Sequence, residues 1–208
     1  MDKARELVAD QAVWPKVRDF LWDFAPQVHP SWLEGIQVSE AKESPRVKAW
    51  ILSQLGVGGC FFDFPNKGWA RLPLLDGATL ESIAKWLGAL SCADRLRRVM
   101  GGAAVRELKA KLPGVYPDVF AFSMYFKGFN PGVEMKDGEP LPDFVISVGY
   151  AMLLRMVADL PNDVLTRFRM KLPKSFSQVK PSPLKQSGIN LAMLLKLKFP
   201  EAYKLCCS

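Results

Sequence analysis

From Ala78 to Leu90 the apolar residues Leu80, Ile83, Ala84, Leu87 and Leu90 recur at steps of three and one, which gathers them on one helical face. A strand would scatter them, because its side chains alternate between two faces. Asp76 stands where a helix N-cap is needed, with a carboxylate able to accept from the free N–H groups of the first turn. Ser91-Cys92-Ala93-Asp94 has the form of a capping box and predicts a restart there. Leu96, Val99 and Met100 are expected to face inward next, and after Gly101-Gly102 the same role falls to Val105, Leu108 and Leu112. Three short amphipathic helices with tight joints predict a packed helical core.

The same period runs through most of the chain. Val17, Phe20, Leu21 and Phe24 form a stripe that ends at Pro26 and Pro30, and His29-Pro30-Ser31-Trp32-Leu33 predicts a turn. Ser44-Pro45 opens a helix whose stripe is Val47, Trp50, Ile51 and Leu55, and Gly56-Val57-Gly58-Gly59 closes it. Only residues 60–74 have strand character: CFFDF and WARLPL flank a Pro-Asn-Lys-Gly turn, which would make a short β-hairpin. Val119 to Phe126 predicts a buried aromatic helix, and Phe144 to Leu160 an apolar one capped by Asp143. A further helix begins near Val164, and Leu184 to Phe199 closes the chain. The fold class is all-α. At 208 residues one domain is expected over 1–208: an N-terminal half, 1–126, a long loop, 127–142, and a C-terminal helical section, 143–208, with a basic tail.

The residues offer little to catalysis. One histidine, His29, has no neighbouring acid or cysteine, and the nucleophile-elbow, Walker, Rossmann, zinc-peptidase and EF-hand patterns are missing. Cys60, Cys92, Cys206 and Cys207 lack metal-ligand spacing, so no metal and no cofactor is expected. With no apolar signal region at the N-terminus they read as free thiols in a cytoplasmic protein, Cys60 and Cys92 as small core residues.

Charge is more informative. Val164 to Ser208 holds nine Lys and Arg against the single acid Glu201, whereas the other 19 basic and 20 acidic residues nearly cancel. The whole excess of the +7 chain thus lies in its C-terminal section. It predicts an acidic partner, an anionic lipid surface or a nucleic acid, against the plain alternative of a solvated face. A basic helical nucleic-acid-binding protein is the rival function, although these cations are interleaved with core leucines rather than with exposed aromatics. Arg95, Arg97 and Arg98 form a tighter cluster, expected to cap helix ends and to pair with Asp94 and Glu107.

LPLLDGATLESIAKWLG, followed by LRRVMGGAAVRELKAKLPGVYPDVFAF, resembles the YscK/SctK family of type III secretion proteins. FAPQVHPSWL before them and RFRMKLP and LAMLLKLKFPEAYKL after them resemble it too, in the same order. The resemblance implies a non-enzymatic adaptor of the injectisome sorting platform, cytoplasmic and peripheral to the inner membrane. Its implied partners are an SctQ-type pod protein and the cytoplasmic domain of an SctD-type ring protein, with SctL-type stalk and SctN-type ATPase further off. Neither a nucleic acid nor a membrane span is expected. Partner contacts are expected at Lys174, Lys180 and Lys185 in the basic section, at Arg97 and Arg98, and at Trp32, whose turn would serve as an interface or as a structural clip.

Overall fold

The computed structural model describes residues 13–35, 44–60, 62–65, 67–126, 134–176 and 189–207. In chain order the helices are α1 (Trp14–Leu21), α2 (Pro45–Gln54), α3 (Gly77–Ser91), α4 (Ala93–Arg97), α5 (Gly102–Lys111), α6 (Val119–Phe122), α7 (Leu141–Met156), α8 (Asn162–Met170), α9 (Ile189–Lys198) and α10 (Pro200–Cys207). Short 3-10 turns join several of them, at Ala25–Gln27, Pro30–Trp32, Trp69–Leu74, Ser123–Phe126 and Lys174–Phe176. The fold is all-α.

The period from Ala78 to Leu90 forms α3 as its spacing requires. Leu80, Ile83, Ala84, Leu87 and Leu90 are all buried, joined by Trp86 and Ala89. Asp76 caps the helix, accepting from the Thr79 N–H at 2.8 Å and the Thr79 hydroxyl at 2.7 Å. Burial alone would raise this carboxyl; the Thr79 hydrogen bonds outweigh it and hold the pKa below its ordinary value. Against α3 lies α7, buried over most of its length. The two meet backbone to backbone. A Cβ on Gly88 would overlap the Val145 carbonyl and come within 3.0 Å of the Gly149 nitrogen, and a Cβ on Gly149 would overlap the Ala84 carbonyl. Ala84 and Gly88, and Val145 and Gly149, are each one turn apart, so each helix offers a small-residue step to the other.

Around this pair one cluster of buried side chains draws on both halves of the chain, including Phe20 and Phe24, Leu96, Leu108, Val119, Phe168, Leu194, Leu195 and Leu205. Among the described residues three buried cations also lie inside, each hydrogen-bonded to main-chain carbonyls. Arg71 reaches the carbonyls of Pro65 and, at 3.3 Å, Leu205. Arg167 reaches Phe20 at 2.7 Å and Gly58 at 3.0 Å, its guanidinium 5.2 Å from the Phe24 ring centre. Lys171 reaches Pro73 at 2.6 Å and Leu75 at 2.9 Å. The Phe20 and Leu205 carbonyls lie near the C-terminal ends of α1 and α10, where the helix leaves acceptors free and its dipole favours a positive charge.

Several expectations need correction. Residues 60–74 make no hairpin: no strand occurs among the described residues, and Trp69–Leu74 is a 3-10 turn closed by Arg71. The aromatic alternation that suggested strands instead packs Phe62 on Phe64 and Phe64 on Phe20. Ser91 caps nothing; it is the last residue of α3, and its hydroxyl donates back to Leu87. Asp143 lies inside the first turn of α7, whose N-cap is Pro140, and pairs with Lys111 at 3.2 Å. Met100 and Trp50 face solvent, as does Met124 in the segment expected to be buried. The closing turn after α2 is as expected: Gly56, with φ +69°, closes a Schellman motif in which its N–H bonds Ser53 and that of Val57 bonds Leu52.

Candidate partner-binding surfaces

The His29–Leu33 turn is clipped to the end of α8. Pro30 follows His29, which is held extended (φ −63°, ψ 137°) and accepts the Ser31 N–H on Nδ1 at 3.2 Å. The His29 N–H donates to the Met170 carbonyl at 2.7 Å, the Trp32 indole N–H to Leu172 at 2.9 Å, and the Lys174 N–H to the Ser31 hydroxyl at 2.9 Å. The exposed Lys174 ammonium lies 5.8 Å from the centre of the Trp32 ring. Segments 140 residues apart are thereby joined through three directed hydrogen bonds and one cation–π contact.

Beside the clip opens a cleft of about 520 Å³, lined by His29, Lys16, Asp19, the start of α3, Glu81, Tyr150 and Lys171. Lys171 is 2 % exposed. Burial brings its pKa down to about 7, partly opposed by Asp76 and reinforced by Lys16. Tyr150 stacks on Phe176, its phenol pushed up by burial and by Glu81. The His29–Ser31 pair, 2.8 Å apart, is part of the turn itself: Nδ1 is occupied by a main-chain N–H, and Ser31 already accepts from Lys174. Among the described residues no three His, Cys, Asp or Glu side chains gather as a metal site would require.

Arg97 and Arg98 lie past the other end of α3, a helix of 15 residues and so about 22 Å long. Arg97 is tied down by Asp94 at 2.7 Å and by the Ser123 hydroxyl, and lies over Phe120. Arg98 is exposed and makes no such contact with any described residue. The structure therefore separates the expected contacts, with Trp32 and Lys174 at one end of α3 and Arg97 and Arg98 at the other. Lys180 and Lys185 lie outside the described residues.

The basic C-terminal section does not present its charge as counted. Arg167 and Lys171 are interior, Lys198 sits over Trp86 and Phe122 at 4.6 and 4.8 Å and near Asp118, and Lys204 pairs with Glu201. A signal for the first two was available. Val164, Arg167, Phe168 and Lys171 follow one another at three, one and three, the spacing of an inward face.

Among known proteins, the family model for YOP proteins translocation protein K (YscK) matches residues 19–119. That match is consistent with the YscK/SctK family of type III secretion proteins. The match takes in the His29–Leu33 turn, the Asp76 cap, α3, α4 and α5; Tyr150, Lys171 and Lys174 fall beyond it. No curated protein and no solved structure matches the chain. The YscK match implies a part in type III secretion, and with it protein partners in that apparatus. No helix among the described residues is long and apolar enough to cross a membrane.

Proposed function

We propose that this chain is a non-enzymatic adaptor of the injectisome sorting platform, linking an SctQ-type pod protein to the cytoplasmic domain of an SctD-type ring protein. The YscK match over residues 19–119 carries this reading. It works in the cytoplasm at the base of the injectisome, peripheral to the inner membrane, with SctL-type stalk and SctN-type ATPase reached through the pods. Its chemistry is surface recognition: the helical body sets the spacing between partners, and the surfaces at the two ends of α3 are far enough apart for two proteins to bind at once. Trp32 and Lys174 contribute at one end and Arg97 and Arg98 at the other.

The test is a pull-down of the tagged chain from its native cytosol at moderate salt, with nuclease, read by mass spectrometry. Co-recovery of a pod protein and a ring protein is the expected result. Recovery of nucleic acid before nuclease and of no protein after it would replace the adaptor with a phosphate-binding function.

A further inference from the structure

Among the described residues, exposed positive charge is most concentrated on α4, α5 and the joint between them. From Asp94 to Lys111 the chain carries Arg95, Arg97, Arg98, Arg106, Lys109 and Lys111 against Asp94 and Glu107, a net +4, and all six cations are exposed. Arg97 and Lys111 are engaged by Asp94 and Asp143, and Arg95 lies over Phe144. Arg98, Arg106 and Lys109 make no ion pair or hydrogen bond with any described residue. The Arg106 guanidinium folds back over the joint, its Nη1 3.3 Å from where a Gly102 Cβ would stand. In the middle projects Met100, 90 % exposed, followed by exposed Ala103 and Ala104. Only Leu108 of α5 is buried, so nearly the whole helix surface is open to a partner.

We propose that the α4–α5 joint is the docking site for an acidic, partly apolar segment of a partner protein, with Met100 as its apolar anchor and Arg98, Arg106 and Lys109 as the cations that read the acid groups. Charge complementarity decides the occupant. Free guanidinium groups beside an unbranched, polarisable side chain suit carboxylates arranged around an apolar residue, and Arg and Met are the residue types enriched in protein interfaces. A lipid surface is the weaker fit, because a single methionine flanked by glycines and alanines offers no aromatic or leucine-rich face to insert. This site rests on the adaptor reading and assigns one of its two contacts to a surface and a chemistry.

The test uses the full chain and the triple variant Arg98→Glu, Arg106→Glu, Lys109→Glu, with Met100→Asp as a second variant. All four side chains are exposed, so unchanged circular dichroism is expected. Binding is measured against the purified pod protein and the purified cytoplasmic domain of the ring protein from the same injectisome, at low and high salt. The expected result is that the triple variant loses at least tenfold in affinity for one partner and most of the salt dependence of that contact, Met100→Asp weakens the same contact, and the other partner binds as before. Two wild-type contacts that both variants leave unchanged would overturn the docking site while leaving the adaptor standing. Failure of the wild-type chain to bind either protein would overturn the adaptor and the docking site together. Co-sedimentation of the wild type with phosphatidylglycerol vesicles, lost in the triple variant while protein contacts persist, would overturn the protein occupant in favour of lipid.

Discussion

Lys171 shows how far one position can depart from its residue type. Lysine is rarely fully buried, yet here its ammonium bonds the carbonyls of Pro73 and Leu75, 5.1 Å from the Phe20 ring centre. Since its folded pKa is lowered to about 7 from 10.5, the unfolded chain holds more protons between those values, and stability must rise with pH across that window and lose this contribution as pH falls through it. The buried thiols act in the opposite sense, because Cys92 is pushed up to about 11 and Cys206 to about 12 from 9.0, so they lower stability once the unfolded thiols ionise. Urea unfolding between pH 7 and 9 isolates the lysine: the midpoint should climb in the wild type and stay flatter in Lys171→Met. Trp32 gives a second test at this scale. Trp32→Phe keeps an aromatic ring but deletes the indole N–H and its bond to Leu172, and should cost about 1 kcal/mol. Loss of partner binding at unchanged stability would make the turn an interface rather than a clip.

At the scale of the element, the crossing of α3 and α7 sets what can vary. Gly88→Ala and Gly149→Ala each put a methyl into a main-chain carbonyl across the interface, and the backbone cannot move aside as a flexible side chain would. Each should destabilise by about 3 kcal/mol or more, read from denaturant midpoints, above the usual range for overpacking by one methyl. The control is Gly59→Ala, where nothing lies within 4 Å and φ is not positive, and which should be nearly neutral. Legibility also differed between elements. α3 could be read from its own residues, since a cap, a period and a burial face all lay within one segment. The segment at 60–74, expected as strands, could not, because Arg71 and the end of α10 determine its conformation.

Across the whole molecule, we propose that the chain unfolds as one domain, since both halves contribute to one core. Its thiols report on this: Cys60, Cys92 and Cys206 are buried in different parts of the chain, and Cys207 is half-buried. A thiol reagent should label Cys207 first, and the other three should become reactive together in a single denaturant transition; separate midpoints would divide the chain. What the sequence determined by itself was the all-α class, the position of α3 and its cap, the ends of α2, and a family resemblance carried by the order of apolar segments. These follow from local physics, in which spacing and capping act within a few residues. Only the tertiary structure decided where charge is exposed. A count along the chain placed the basic surface after Val164, but folding turns Arg167 and Lys171 inward to carbonyls of segments some hundred residues away, and leaves α5 covered on one side only. Exposure depends on which distant segment arrives to cover a side chain, and the spacing within one helix carries only half of that information.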